Sequence, residues 1–206
     1  MYEFKSSLGY YELVGHALGC SKSVVEVALY DLSKGIAKWV PSSLLGGRSI
    51  EAVWHSGVRC FGKEFWFGGM ILESEHADVP FGSPVRILRL GTTLRSHEDL
   101  VKFLKEDVHV HYNPKSYDVL KRNCNHFSNE LAQFLLGRQL PEEVLLQPEW
   151  VKNTLLLNTL RPILNRWLGG FGGPAAPRAP HAASRIDDLT EEWRARLQVG
   201  VERRVP

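Results

Sequence analysis

The sequence predicts an α+β fold in which a small antiparallel sheet packs against helices. Three observations indicate it: β-type segments fill the first half of the chain, helical periodicity begins only after residue 96, and two β-type segments are joined by a tight Gly-Lys connection. Strands that precede the helices, instead of alternating with them, are typical of α+β domains.

The composition is that of an ordinary globular protein. Of the 206 residues, 44% are hydrophobic and 23% are charged, which excludes a mostly disordered chain. The net charge of +2, from 25 basic and 23 acidic residues, argues against a dedicated nucleic-acid-binding protein. No run of about 18 apolar residues occurs, so we expect no membrane span, and the N-terminus lacks the layout of a signal peptide.

The β-type segments define four predicted strands. They cover 24–30, 50–61, 64–67 and 85–90. The first is rich in β-branched residues and stops at the turn-forming sequence 31–35, and Gly62-Lys63 joins the second to the third as a hairpin. A short turn or helix is expected after Pro41. The polar cluster at 73–78 is interpreted as a solvated loop.

Helical signals follow the strands. Ser96 and Asp99 are spaced as in a capping box and predict a helix that begins there. A second helix is predicted to begin at 123–124 and to end before Gly137, because its apolar residues recur at helical spacing up to that glycine. Pro148 opens a third predicted helix.

Changes in composition divide the chain into four parts. We expect an N-terminal extension over 1–23, a folded domain over 24–168, a Gly/Pro/Ala-rich linker over 169–183 and a C-terminal tail over 184–206. The tail is expected to be either a short helix that docks a partner or a weakly structured segment, because a helix of about 12 residues is marginal on its own.

The three cysteines differ in their surroundings. Cys124 begins the second predicted helix and follows Lys121 and Arg122, so unpaired N–H groups, the helix dipole and two cations favour its thiolate, the reactive form. A buried structural thiol is the alternative, since free cysteine is among the most buried residue types. Cys20 and Cys60 lack such surroundings. Free, scattered thiols suit a cytoplasmic location, with the nucleus as a second compartment.

A cysteine nucleophile needs a base, and eight histidines are available. His126 lies about 200° around the helix from the cysteine and points away from it. His55 alternates with Gly57 on one strand face, where the glycine leaves room for a substrate chain, and His55 is either a base or a structural histidine. His109 and His111 offer two imidazoles without a third metal ligand nearby. The pair is therefore interpreted as solvated. The sequence gives no sign of a metal or of an organic cofactor, and we expect neither.

Four motifs, in the order in which they occur, resemble those of the PPPDE peptidases, the family of the desumoylating isopeptidases. They are Tyr-Asp-Leu-Ser-Lys-Gly at 30–35, Ile-Glu-Ala-Val-Trp-His at 50–55, Glu-Phe-Trp-Phe-Gly-Gly at 64–69 and Asn-Cys-Asn-His-Phe-Ser-Asn-Glu at 123–130. The resemblance continues through 131–138 and 160–164 and covers about 24–168. The N-terminal extension and the C-terminal tail lie outside it.

The resemblance implies a thiol peptidase with a papain-like fold in circularly permuted order, in which the histidine precedes the cysteine. It assigns Cys124 as the nucleophile and His55 as the base, with no cofactor, and neither Asn123, Asn125 nor an aspartate is assigned as a third catalytic residue. The implied substrates are proteins that carry SUMO, or ubiquitin, on lysine side chains, and the implied assembly is a homodimer.

Two other functions use the same residues. An S-acyl thioesterase (a depalmitoylase) suits the same Cys–His pair, because a thiol leaves more easily than an amine. A binding protein with a closed cleft is the second alternative. Met70 and Ala52 stand where relatives often have glycine, which narrows the approach to the cleft and affects substrate choice more than chemistry. The segment 155–168 resembles a nuclear-export signal of the family, although leucines at this spacing usually pack a core.

Overall fold

The computed structural model describes residues 22–45, 47–76, 79–146, 161–162, 165 and 184–185. The strands are β1 (Ser23–Asp31), β2 (Trp54–Cys60), β3 (Lys63–Phe67), β4 (Ile71–Ser74), β5 (Arg86–Thr93) and β6 (Ser184–Arg185). The helices are α1 (His97–Phe103), α2 (Cys124–Leu136) and α3 (Glu142–Leu145). A π-helical turn, Leu104–Val108, extends α1, and 3₁₀ turns occupy Ala37–Trp39 and Ser42–Leu45. The second 3₁₀ turn is the one expected after Pro41.

The described strands form one antiparallel sheet in the order β5-β1-β2-β3-β4-β6. The predicted combination of helices with a small antiparallel sheet is therefore confirmed. All four predicted strands are present, and the second is shorter than predicted at both ends. The sequence pattern does not predict β4 or β6, because β4 has only four residues and β6 only two.

A two-residue turn joins β2 to β3 and confirms the predicted hairpin. Phe61 and Gly62 both have positive φ, at 54° and 76°, as a type I′ turn requires. The turn lies one residue earlier than the Gly62-Lys63 connection that the sequence predicts, because Lys63 already pairs with Cys60 in the sheet.

Side chains alternate across the sheet and give it two different faces. The first face packs against the helices and holds the larger core. Members of this core include Val27, Leu29, Val58, Phe65, Phe67, Phe127 and Leu131. The core of the second face consists of Ala28, Tyr30, Trp66, Leu72 and Val79, with Phe81 packed against it. His55 is the partner of Tyr30 across β1 and β2, so His55 belongs to the second face.

The predicted capping residues mark where α1 begins and where α2 begins and ends. At α1, Ser96 and Asp99 form the reciprocal hydrogen bonds of a capping box. At α2, Asn123 is the N-cap, and Gly137 ends the helix with a φ of 64°. The third predicted helix and the predicted tail helix lie outside the described residues.

The β4 strand corrects one interpretation of the sequence. Glu73 does not belong to a solvated loop: it lies on β4 opposite Phe65, on the face that packs against the helices, and is only 5% exposed. One of its partners is Ser184, so the first two residues of the predicted tail form a strand. Glu75 and His76, which follow β4, are exposed.

Candidate active site

The candidate nucleophile Cys124 is the first residue of α2. The Asn123 side chain caps this helix, because its Oδ1 accepts the N–H groups of Asn125 at 2.9 Å and of His126 at 3.1 Å. Nδ1 of the His126 ring lies 2.8 Å from the same oxygen, so this imidazole serves the cap and not the thiol. The capped helix start holds the thiol in a position where it is only 4% exposed.

Burial keeps the Cys124 thiol protonated. It raises the pKa of the thiol to about 11, although the backbone N–H groups of Ser56, Asn125 and Cys124 itself point at the sulfur and act in the opposite direction. The sequence predicts a thiolate stabilised by the helix start and by Lys121 and Arg122. In the closed site that the structure describes, desolvation outweighs those effects.

The candidate base His55 is as deeply buried, at 3% exposure. Its ring packs against that of Phe81, with the ring centroids 3.9 Å apart and the planes tilted by 36°, and the Tyr30 ring centroid lies 6.1 Å away. Burial lowers the pKa of His55 to about 3, so the imidazole is neutral near pH 7. Its Nε2 is buried and has no hydrogen-bond partner within the described ranges. An unsatisfied buried ring nitrogen calls for an explanation, and a catalytic role is one.

The contact between Cys124 and the strand that bears His55 is made by the backbone of β2 and not by the imidazole. The N–H of Ser56, the residue after His55, points at the Cys124 sulfur. The imidazole lies on the second face of the sheet, whereas α2 packs on the first. His55 Nε2 makes no hydrogen bond to the thiol. In this closed arrangement the neutral thiol and the neutral imidazole both lie next to β2, but no hydrogen bond connects them.

A buried polar cluster of Ser56, Asn125 and Ser128 lies between α2 and β2. The Ser56 hydroxyl donates to Asn125 Oδ1 at 2.8 Å and lies 2.9 Å from the Ser128 hydroxyl. Asn125 Nδ2 donates to the carbonyl oxygens of Trp54 and Val144, each at 3.2 Å. Asn125 ties the start of α2 to β2 on both sides of the candidate base, whereas the Ser128 side chain, among the described residues, hydrogen-bonds only to Ser56.

A second buried polar cluster lies on the same face of the sheet as His55. Glu64, which is fully buried, accepts hydrogen bonds from the Tyr30 hydroxyl at 2.8 Å and from Arg59 Nε at 2.7 Å. Burial raises the pKa of Glu64, against the opposing effect of the Arg59 guanidinium. A Cβ on Gly57 would lie 2.2 Å from Glu64 Oε1. Gly57 therefore makes room for the protein's own carboxylate, not for the substrate chain that the sequence suggests.

The two departures from the family pattern lie at the end of the sheet where β2 begins. Met70 is half-buried in the turn between β3 and β4, in which Gly69 has a φ of 83°. The antiparallel register brings this turn to the same end of the sheet as His55. Ala52 is buried two residues before β2. Both residues are thus close to the candidate site in the sheet.

The other thiol within the described part of the chain is also buried, and it lies away from His55 on the core side of the sheet. Cys60 on β2 faces the larger core, and burial, together with the nearby Glu73 carboxylate, raises the pKa of its thiol to about 12. Cys20 lies outside the described residues. Across the described ranges, no three His, Cys, Asp or Glu side chains are grouped so as to hold a metal ion. None of the helices described is both long and apolar enough to cross a membrane.

Sequence reasoning singles out Cys124 and His55 but not Ser56, Asn125 or Phe81, which contact or surround them. Ser56 directly follows His55, and Asn125 directly follows Cys124, so adjacency in the chain is the signal that points to these two. Phe81 carries no such signal, because its contact with His55 depends on how the loop before β5 folds.

Comparisons with known proteins show which family and which curated proteins this chain resembles. The sequence model of one protein family, described as the PPPDE peptidase domain, matches residues 23–165 of this chain. Desumoylating isopeptidase 1 of Xenopus laevis is 32% identical over 143 residues, which cover 69% of this chain and 84% of that protein. Desumoylating isopeptidase 1 of Homo sapiens is 33% identical over 142 residues, with 68% and 84% covered. A homolog of desumoylating isopeptidase 1 from Caenorhabditis elegans is 31% identical over 135 residues, or 58% of this chain and 36% of that protein.

Proposed function

The chain belongs to the PPPDE peptidase family, and on that premise we propose that it is a cysteine isopeptidase that removes SUMO from lysine side chains of target proteins. Cys124 is the proposed nucleophile and His55 the proposed base. The observation that carries the proposal is the Cys124 thiol at a capped helix start, beside the backbone of the strand that bears His55. The names of the relatives supply the substrate class.

We propose a permuted papain-like fold for the same domain. A cysteine at the start of a helix that packs on an antiparallel sheet, with a histidine on one of the strands, supports this assignment. The histidine comes first in the chain, as the permuted order requires. Ubiquitin as a second modifier, a homodimer, and a cytoplasmic or nuclear location stay predictions.

In the proposed reaction, His55 takes the proton of the Cys124 thiol, and the thiolate attacks the carbonyl carbon of the modifier's terminal glycine. The backbone N–H groups of Ser56 and Cys124, which point at the sulfur, are candidates to stabilise the negative charge on the carbonyl oxygen. The His55 imidazolium then protonates the lysine amine as the C–N bond breaks. Water hydrolyses the thioester that is left on Cys124 and releases the free modifier.

The reaction requires the closed site to open. The imidazole and the thiol need a hydrogen bond, and such bonds often tighten only when substrate is bound. We expect the His55 ring to move away from the Phe81 ring when substrate enters. Exposure then reverses the effects of burial, because it lowers the pKa of the thiol and raises the pKa of the imidazole. Both changes favour a thiolate–imidazolium pair.

Covalent capture tests the proposed nucleophile and modifier. SUMO whose C-terminal glycine is replaced by propargylamide, so that an alkyne carbon takes the position of the scissile carbonyl carbon, is incubated with the full chain. Mass spectrometry locates the thioether that forms when the thiol adds to the alkyne. We expect an adduct on Cys124 in the wild type and none in Cys124→Ala. Cys60→Ser is the matched control and is expected to be captured normally. An adduct on another cysteine, or none in the wild type, contradicts the proposal, and a ubiquitin probe of the same chemistry tests the second modifier.

A further inference from the structure

The Asn125 side chain is fixed by hydrogen bonds at both ends of its amide, and the residue is only 2% exposed. Its Oδ1 accepts the Ser56 hydroxyl at 2.8 Å, and its Nδ2 donates to the carbonyl oxygens of Trp54 and Val144 at 3.2 Å each. Since the two ends of an amide differ in hydrogen-bonding character, these partners define one orientation. The side chain is therefore a rigid link between three segments of the chain.

The Asn125 amide connects residues that are adjacent to the proposed nucleophile and to the proposed base. Asn125 follows Cys124, while Trp54 and Ser56 stand immediately before and after His55. Two hydrogen bonds from one amide thus connect the residue next to the nucleophile with both neighbours of the base, across 71 and 69 positions of the chain. Asn125 Oδ1 also lies 3.7 Å from the Cys124 sulfur.

We propose that Asn125 is a positioning residue: it holds the His55 segment of β2 against the start of α2, so that imidazole and thiol meet when the site opens. The inference rests on the proposed Cys124–His55 chemistry. Alignment of reacting groups is demanding, and a displacement of about 1 Å can lower a rate roughly 100-fold. An amide that spans both neighbours of His55 sets this alignment more directly than the surrounding apolar packing does.

The competing explanation is that Asn125 only satisfies two buried carbonyl groups. Its loss would then lower the stability of the fold without changing the chemistry of the thiol. Ser128 provides the matched control. It is fully buried on the same helix, donates to the Ser56 carbonyl at 3.2 Å, and has no hydrogen bond to Trp54 or Val144 in the described part of the chain.

Two measurements on full-length Asn125→Ala and Ser128→Ala separate these explanations. Alkylation of Cys124 by iodoacetamide across a pH range, followed by mass spectrometry, reports on the thiol without any substrate. We expect Asn125→Ala not to raise the alkylation midpoint, because the imidazole does not contact the thiol before substrate enters and the thiol loses the Asn125 Oδ1 acceptor. A lower kcat in this variant then cannot be assigned to a less reactive thiol. With a SUMO amide reporter, we expect its kcat to fall about tenfold or more and its KM to stay within about twofold. Ser128→Ala is expected to change neither the alkylation midpoint nor kcat by more than about twofold, although it too loses a buried hydrogen bond.

An Asn125→Ala kcat equal to that of Ser128→Ala, or a kcat deficit matched by a raised alkylation midpoint, would overturn the proposal. If the wild type hydrolyses no SUMO reporter, the proposed function fails, and the same kcat comparison with an acyl-thioester reporter decides the role of Asn125. Should Asn125→Ala not fold, Asn125→Asp keeps the size and the Oδ1 acceptor while it loses both Nδ2 donations. A kcat deficit that persists at the pH of maximal alkylation supports positioning, and full recovery there overturns it.

Discussion

The Ser56 hydroxyl donates a 2.8 Å hydrogen bond to the Asn125 side chain. The bond joins the residue after His55 to the residue after Cys124, and the Ser56 N–H points at the sulfur as well. In this closed state both the imidazole and the thiol are buried and neutral. The proposed reaction therefore requires a change that exposes the two groups while the link between their neighbours persists.

His55 makes the fold sensitive to acid. The pKa of this residue is about 3 when it is buried and about 6.5 in an unfolded chain, so between these values only the unfolded chain binds the proton. Stability is therefore lost as the pH falls from about 6.5 towards 3. We expect His55→Gln to remove about 2–3 kcal/mol of the stability lost between about pH 7.5 and pH 4.5. Urea unfolding of both proteins at the two pH values measures this, and equal losses would contradict the prediction.

Phe81 is expected to be the main cause of the low pKa of His55. Its ring covers the imidazole at a centroid distance of 3.9 Å, so Phe81→Ala admits water and should raise the pKa of His55 by at least about one unit. Titration of the His55 ring signals by NMR measures the change. Phe61→Ala is the control, because the Phe61 ring lies 5.6 Å from His97 and forms no ring contact with His55. The same pKa in Phe81→Ala as in the wild type would show that other groups shield the imidazole.

Gly57→Ala is expected to disrupt the buried carboxylate cluster. The new Cβ would lie 2.2 Å from Glu64 Oε1, which cannot withdraw without breaking its hydrogen bonds to Tyr30 and Arg59. We expect a loss of about 2–4 kcal/mol in the free energy of unfolding, measured in urea. In a Glu64→Ala background the clash is absent, so the same substitution should cost much less. Equal costs in the two backgrounds would show that the carboxylate is not what Gly57 accommodates.

Asn123 is expected to stabilise α2, the helix that carries the proposed nucleophile. Its Oδ1 accepts two backbone N–H groups at the start of α2, so Asn123→Ala should lower the free energy of unfolding by about 1–2 kcal/mol. Asn123→Ser retains an oxygen in the capping position and should recover most of that loss. Thermal unfolding of the three proteins compares them, and an alanine variant as stable as the wild type would rule out the cap as a stabilising feature.

Signals that act over a few residues predict the local structure of this chain well. Ser96 with Asp99 and Asn123 with Gly137 mark real helix ends, because caps are satisfied by neighbouring residues. Strands with clear β-type composition are found for the same reason. β4 escapes prediction because it is short and both charged and apolar, and its identity as a strand depends on partners on both sides.

The chemistry of the site is less predictable, because it depends on burial. The local pattern around Cys124 favours a thiolate, yet desolvation raises the pKa of the thiol to about 11. The sequence suggests that Gly57 leaves space for a substrate, yet the Glu64 carboxylate, seven residues along the chain, occupies the space beside this glycine. The link through Asn125 joins residues about 70 positions apart. Such contacts arise only from the tertiary fold: adjacency to His55 and Cys124 marks Ser56 and Asn125, but it does not predict the hydrogen bond between them.

Hydrolysis of a SUMO C-terminal amide reporter by the wild type, Cys124→Ala, His55→Ala and Cys60→Ser tests the central claim most directly. We predict turnover by the wild type and by Cys60→Ser, and a loss of roughly 1,000-fold or more in Cys124→Ala and in His55→Ala, because the nucleophile and its base act as one unit. An acyl-thioester reporter measured alongside identifies a thioesterase if it alone is turned over. Amide hydrolysis by Cys124→Ala at the wild-type rate would contradict the assignment of the nucleophile and the mechanism built on it.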